Sequence, residues 1–422
     1  MNNKKDKLLP ELRFPEFRSN GEWDIEPLGI LSKEITEKTK GRKFKLMSIT
    51  SGIGLVSQIE KFGREIAGDS YNNYYVIHAG DFAYNRSSTK LYPEGEVAMF
   101  EDEEVGAVPN SIFTCFRFDR SKVYPKLAKY QFTNNLHGKW LKKFISVGAR
   151  ANGALQVNVK DLFSTPFPFP KLPEQQKIAS CLSSLDEVIA AHNQKLEALK
   201  EHKKGLMQNL FPQEGETVPK MRFPEFLTDG EWVEDTLGEQ GMFLKGKGIA
   251  KSDIAENGSV PCIRYGELYT YYNETISVVK SYTNLSVDDL VLSRTNDVII
   301  PASGETHDDI ATASCVLKDG IALGGDLNII RTKINGVFLS YYLNNIKKKK
   351  ISQLAQGIAV VHLYSNQLKK LKINVPKPRE QRKIAECLSD LDTSISARIY
   401  KIEQLKLHKI GLMQQLFPKP VK

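Results

Sequence analysis

The sequence predicts an α+β chain built twice over, in which two globular domains of mixed structure alternate with two long helices. Three observations carry this reading: a repeat of very long period, two matched stretches of heptad periodicity, and short alternating or apolar runs confined to the segments between them. With 422 residues the chain is too long for one ordinary core and suits two to four domains.

The repeat is anchored twice in each copy. Pro10-Glu11-Leu12-Arg13-Phe14-Pro15-Glu16-Phe17 returns as Pro219-Lys220-Met221-Arg222-Phe223-Pro224-Glu225-Phe226, and both copies run on to Gly-Glu-Trp, ending at Trp23 and Trp232. A longer match starts at Glu174-Gln175 and again at Glu380-Gln381. It closes on Leu206-Met207-Gln208-Asn209-Leu210-Phe211-Pro212 and Leu412-Met413-Gln414-Gln415-Leu416-Phe417-Pro418, with about two-thirds of its positions identical. Between these anchors lie stretches of similar length and little likeness, so the plan is variable, constant, variable, constant. That gives a first domain with its N-terminal segment over 1–170, a helix over 171–213, a second domain over 214–376, and a second helix with a tail over 377–422. A period this long marks a duplicated domain, because solenoid units run about 20–50 residues.

The constant segments predict helices of about 37 residues, about 55 Å long at 1.5 Å per residue. Ile178, Leu182, Leu185, Ile189, His192, Leu196, Leu199, Lys203, Leu206 and Leu210 alternate by four and three. Ile384, Leu388, Leu391, Ile395, Arg398, Ile402, Leu405, Lys409, Leu412 and Leu416 repeat the pattern. Two apolar positions per heptad make the narrow seam of a coiled coil, although each helix could instead pack on its own domain. Pro212 and Pro418 stop the helices. His192, Arg398, Lys203 and Lys409 interrupt the seam, where they either fix register or snorkel at its edge. Gly205 and Gly411 sit at matched places near the helix ends, which suggests a close backbone approach. In the variable segments Tyr74–Ile77, Ile112–Phe118 and Leu327–Ile330 read as strands, and Lys126–Phe132 and Phe338–Lys347 as helices.

Charge and chemistry narrow the function. The net charge of +9, from 59 Lys+Arg against 50 Asp+Glu, favours a polyanionic partner, nucleic acid before membrane. The five cysteines, Cys115, Cys181, Cys262, Cys315 and Cys387, form no CxxC, so neither a zinc site nor a disulfide framework is expected. Met1–Lys7 has no apolar stretch behind it and no run approaches a transmembrane span, so the cytoplasm is the expected compartment. Gly241–Gly248 nearly spells a phosphate-binding loop but ends in glycine where a magnesium-holding hydroxyl belongs, and reads as a flexible basic loop. There is no Asn/Asp-Pro-Pro-aromatic motif for base methylation, and no GxSxG or HExxH. No enzyme activity, metal or cofactor is expected of this chain.

Polar loops suited to DNA do occur. Asp81–Lys90 has a counterpart in Asp289–Asn296, each delivering an arginine onto a Ser/Thr/Asn-rich loop. The candidate DNA contacts are Arg86, Ser87 and Lys90, Arg150 and Asn152, Lys245 and Lys247, and Arg294, Thr295 and Asn296. Arginine fits the O6/N7 edge of guanine, asparagine fits adenine, and small hydroxyls serve bases or phosphates. Lys139–Lys143 and Lys347–Lys350 are basic patches suited to phosphate. Singly, each of these reads better as a solvated surface loop; the set carries the weight.

Taken together the chain resembles the specificity (S) subunit of type I restriction-modification enzymes. The likeness rests on Leu-Pro-Glu-Gln-Gln-Lys-Ile-Ala at 172–179 and Pro-Arg-Glu-Gln-Arg-Lys-Ile-Ala at 378–385. Each opens a helix that ends in Gly-Leu-Met-Gln-x-Leu-Phe-Pro. Arg-Phe-Pro-Glu-Phe heads both variable regions, and Asp-Leu-Val-Leu-Ser-Arg stands at 289–294. The resemblance implies two target recognition domains, each meeting one part of a split double-stranded DNA site. It implies that the helices pack antiparallel as a ruler for the gap between the parts. Its implied partners are methyltransferase (M) subunits that hold S-adenosylmethionine and ATP-driven restriction (R) subunits. Two similar domains on antiparallel helices would meet DNA in opposite senses, as dimeric readers do, and their different sequences imply different half-sites. A stand-alone sequence-specific DNA-binding regulator and a coiled-coil scaffold without DNA are the competing readings.

Overall fold

The computed structural model describes residues 8–67, 69–145, 155–357 and 360–419. The two long helices are present, at Leu172–Asn209 and Pro378–Leu416. Proline in the first turn of each leaves no intrahelical hydrogen bond unmade, because the first amides of a helix have no partner there. The chain divides into two compact units that do not follow the alternation of domain and helix. One comprises Met1–His192 with Lys401–Lys422, the other Asn193–Tyr400. Each unit therefore holds one globular domain, the first half of the helix that follows it, and the last part of the other long helix.

In the first unit β1 (Asp24–Pro27) pairs antiparallel with β10 (Pro166–Phe169), so the strands that open and close the domain lie side by side at the head of the helix. Between them are β2 (Ser32–Glu34), β3 (Lys45–Thr50), β4 (Gly54–Ser57), β5 (Tyr75–Ile77), β6 (Phe82–Asn85), β7 (Glu96–Met99), β8 (Gly106–Val108) and β9 (Phe113–Phe118). They form two four-stranded sheets, ordered β2-β9-β6-β7 and β4-β3-β8-β5. The second unit repeats the plan. β11 (Val233–Thr236) pairs with β23 (Lys372–Val375). β12 (Gly241–Lys245), β21 (Leu327–Thr332), β17 (Val298–Pro301), β19 (Ser314–Val316) and β14 (Thr275–Ile276) form one sheet. β15 (Ser281–Thr283), β13 (Val260–Ile263), β20 (Ala322–Leu323) and β16 (Val291–Leu292) form the other. In both units a parallel pair sits inside the second sheet, β3 with β8 and β13 with β20.

The central strands are buried on both faces, which is why they are continuous apolar runs rather than alternating ones. Phe82, Phe116, Phe118, Phe132 and Phe167 stack at ring separations of 5.2–6.3 Å in the first core. Val298, Ile299, Ile300, Ile329 and Ile330 fill the same strands in the second.

Every seam position of both helices is buried or half-buried, as the heptads require. Within the first unit Ile178 and Leu182 pack with Met413 and Leu416, and Lys409 bonds Asp186. Within the second, Ile384 and Leu388 pack with Leu210, and Lys203 bonds Asp392. In each unit the partner number falls as the other rises, so the helix segments run antiparallel. The seam lysines are thus neither stray nor snorkelling. Each pairs with an aspartate that also accepts from a tyrosine of the domain, Tyr130 for Asp186 at 2.8 Å and Tyr341 for Asp392. The lysine nitrogens also lie over those tyrosine rings, at 5.2 Å from the centroid in both cases.

The glycines at the helix ends do something other than expected. A Cβ placed on Gly205 or Gly411 would meet nothing within 4 Å, so no close backbone approach explains them.

Candidate nucleic-acid interface

The constant motifs build the helix-bearing end of each unit. Glu174 accepts from Arg13 Nε at 2.8 Å and from a second guanidinium nitrogen at 2.7 Å, and Glu380 accepts from Arg222 with the same two distances. All four side chains are buried to at least nine-tenths. The neighbouring glutamine closes the joint. Gln175 takes the Tyr124 amide and donates to the carbonyls of Lys122 and Pro170. Gln381 takes the Asn335 amide and donates to the Pro376 carbonyl. The Leu-Phe-Pro endings supply the apolar half of the joint: Phe417 lies edge-on to Trp23 and Phe211 edge-on to Trp232. Burying such a side chain is worth about 1.5–3 kcal/mol. The motifs that most identify this chain are therefore joinery.

A second matched ion pair orients the sheets. Asp81 is held by Arg117 at 2.6 and 2.7 Å, and Asp297 by Arg331 at 2.9 and 2.7 Å. Each aspartate also accepts the amide three residues before it, from His78 and Arg294. Burial of both aspartates is complete to within 1%. The matching backbone bonds at the far end of these strands are equally regular. The Arg86 amide bonds the Ile112 carbonyl and the Arg86 carbonyl takes the Leu155 amide; Ala302 does the same with Asp326 and Leu363.

These bonds correct the expected pairing of the two arginine loops. Asp81 corresponds to Asp297, not Asp289, and Arg86 corresponds to Ala302, not Arg294. Repeated sequence letters misled here because the loops before the strand differ in length, while the buried carboxylate cannot move. Arg294, Thr295 and Asn296 instead precede β17, at the helix-bearing end. Asn296 has a left-handed backbone (φ 81°), and its side-chain amide is spent internally on the Thr332 and Ile334 carbonyls and the Gly336 amide. Gly80, with φ 88°, fills that place in the first unit. Thr295 is exposed and its amide bonds Asp319, while Arg294 is exposed with no side-chain hydrogen bond among the described residues.

Arg86, Ser87 and Lys90 in the first unit and Lys245 and Lys247 in the second lie at the opposite end of the sheets, away from the helices. Arg86 turns its guanidinium onto the carbonyls of Asn110 and Ser111, at 3.3 and 2.8 Å, so it braces a neighbouring loop. Ser87 is half-buried and Lys90 is exposed beside it. Arg150 and Asn152 lie outside the described residues. After them, the Leu155 amide bonds the Arg86 carbonyl. In the second unit Lys245 ends β12 opposite Asn328, and Lys247 follows, both exposed. Lys247 stands 3.9 Å from Asp289, itself on the surface.

The segment around these lysines is paired rather than the free loop expected of Gly241–Gly248. Gly241–Lys245 is a strand, and the Gly246 and Lys247 amides bond the Leu327 and Leu323 carbonyls. A Cβ on Gly246 would fall 1.8 Å from the Gly324 carbonyl oxygen, so only glycine fits. The far end also presents Ile53 and Leu91, both largely exposed, which the charge-based search missed. An isoleucine set between two glycines at a hairpin tip was the available signal.

Comparison with known proteins agrees with this architecture. The family described as type I restriction modification DNA specificity domain matches residues 16–201 and again 229–406. The chain belongs to that family. It is 28% identical over 297 residues to the type I restriction enzyme MjaVIII specificity subunit of Methanocaldococcus jannaschii, covering 66% of this chain and 67% of that protein. A second protein of that organism, named for the MjaX specificity subunit, is 27% identical over 356 residues, covering 81% and 78%. Among solved structures, the type I restriction-modification S subunit from M. genitalium superposes with a TM-score of 0.58 at 15% identity, over 98% of this chain and 100% of that one. A chain of a type I restriction-modification assembly gives 0.51 at 17% identity, over 94% and 98%. At such identities the structural likeness speaks for the fold. No helix among the described residues is long and apolar enough to cross a membrane.

Proposed function

We propose that this chain is the DNA sequence-specificity subunit of a type I restriction-modification complex. It meets a bipartite, asymmetric double-stranded site with one half-site per domain and docks methyltransferase and restriction subunits, which hold the methylation and ATP-driven cleavage chemistry. One observation carries the reading. Two domains with the same internal bonds at their helix-bearing ends carry different side chains at their far ends, as two readers of unlike half-sites would. DNA then lies against the far ends, where Ser87 and Lys90 serve the first domain and Lys245 and Lys247 the second; Arg150 and Asn152 remain candidate contacts from the sequence. Arg86 shapes the first surface from within. Arg294 and Thr295, at the other end of their sheet, serve contacts to partner subunits rather than to bases.

The test is to express the chain with its methyltransferase partner and map modified bases in host DNA with and without it. A methylated split motif that disappears when this chain is removed is the expected result. A chain that binds a defined DNA site but never co-purifies with a methyltransferase is a stand-alone regulator. Binding without any salt dependence would point to a scaffold, since phosphate contacts impose a steep slope.

A further inference from the structure

A small ribbon continues the sheet at the far end of the second domain. Beyond Ala302 the chain enters β18 (Ser303–Gly304), which pairs antiparallel with β22 (Val361–His362) in the register Ser303↔His362 and Gly304↔Val361. On the other edge of β22, His362 and Gln356 exchange backbone bonds at 2.7 and 2.9 Å. Two bonds fix the ribbon to the domain. The Leu363 amide takes the Ala302 carbonyl at 3.0 Å, and buried Asn328 donates its side-chain amide to the Leu363 carbonyl at 2.9 Å. Asn328 lies opposite Lys245 in the β12–β21 pair, so the ribbon shares its end of the sheet with that lysine.

Strand alternation then decides what the ribbon shows. Val361 and Leu363 are sunk into the core, and Val360, His362 and Tyr364 are exposed on the opposite face. The imidazole is held in place. Its Nδ1 lies 3.1 Å from Ser303 Oγ, and Ser303 is 5% exposed with no other side-chain partner among the described residues. A buried hydroxyl gives its hydrogen to the acceptor it has, because an unmade bond there costs stability. Nδ1 therefore accepts, and the ring's own N–H sits on Nε2, which has no protein partner among the described residues. The Tyr364 ring stands beside it, 6.4 Å between centroids. Residues 303–304, 356–357 and 360–364 include no lysine, arginine, aspartate or glutamate, and Glu305 follows directly. A neutral ribbon beside a carboxylate is poorly suited to phosphate, and one fixed outward donor suits a base edge. The major groove admits a two-stranded ribbon, and guanine offers a donor there two acceptors, N7 and O6.

We propose that the β18–β22 ribbon enters the major groove of the second half-site and that His362 is a specificity-determining residue there, donating from Nε2 to the N7/O6 edge of a guanine while Ser303 sets the ring. This rests on the function proposed above.

The experiment uses the full chain with its methyltransferase partner and a panel of duplexes carrying all four base pairs at each position of the mapped site. His362→Ala removes the donor from an exposed position, and Ser303→Ala leaves the ring without its guide. His362→Ala is expected to lose about fivefold to tenfold of the preference for guanine at one position of the second half, leave the first half unchanged, and melt with the parent. Ser303→Ala is expected to relax the same position and no other. His362→Phe, which keeps the ring's bulk without a donor, repeats the test should the alanine variant fold poorly. A folded variant of His362 with an unaltered profile overturns the assignment. So does relaxation at a base other than guanine, or even weakening across the panel with a flatter salt dependence, which marks a phosphate contact. A Ser303→Ala protein with an unaltered profile overturns the serine's part. A parent chain with no base preference anywhere overturns the functional reading itself, whereas a parent that discriminates in both halves while His362 variants match it overturns the assignment alone.

Discussion

The helix-bearing ends of the two units use the same residues for the same bonds, while their far ends share a backbone plan and little side-chain chemistry. Arg13–Glu174 and Arg222–Glu380 agree to the tenth of an ångström, and the neighbouring glutamines take matching backbone amides at 2.7 and 2.9 Å. At the far ends Arg86 faces Ala302 across the correspondence. The joint must satisfy buried charges whatever the domain does, so its chemistry is constrained by desolvation. The far end is solvated and free to vary so long as the strands beneath it remain paired. What the contrast teaches is where to look for function: away from the most recognisable motifs.

The sharpest test of that contrast is exchange. Replacing residues 32–165 with the corresponding segment of a family member of other specificity should change one half of the recognised site entirely and leave the other intact. Methylation mapping reads this directly, and a change in both halves would show that the far ends do not act separately.

Removing one partner of a joint comes next in size. Arg222→Ala strands Glu380 in a buried site and is expected to cost about 3–5 kcal/mol in urea unfolding, with Arg13→Ala costing a similar amount. Markedly unequal costs would break the equivalence of the two ends.

The units should also respond differently to acid. His137 is fully buried in the first unit, where burial depresses its pKa from 6.5 to about 4. The unfolded chain therefore binds a proton that the folded one refuses between about pH 6.5 and 4. Stability is fully present above the unfolded value and falls as pH drops through this window, by up to about 3 kcal/mol from this group. Comparing melting of the parent and His137→Gln between pH 7 and 5 isolates the effect, which should vanish in the variant.

Smallest are the surface lysines. Lys245→Ala or Lys247→Ala should weaken DNA binding evenly across sequences and flatten the salt dependence by about one unit each, if each meets a phosphate. A shift confined to one base position would instead make that lysine a base reader, and no change in either quantity would remove it from the interface.

By itself the sequence determined the duplication, the two long helices and their seam, and the α+β character of the domains. These follow from apolar spacing and from proline stops, which act locally and are written in order along the chain. It also carried the joint motifs, though not their purpose: Glu174 and Arg13 are far apart in sequence, and only folding shows that one clasps the other. The tertiary structure alone decided which loops correspond. Asp297 rather than Asp289 matches Asp81, because a buried carboxylate must keep its arginine while exposed loops change length freely. It alone separated Arg294, Thr295 and Asn296 from Lys245 and Lys247, placing them at opposite ends of one sheet. Strand direction sets that placement, and direction depends on pairing between distant segments. Gly246 looked like freedom in the sequence and proved to be contact, since the missing side chain makes room for the Gly324 carbonyl.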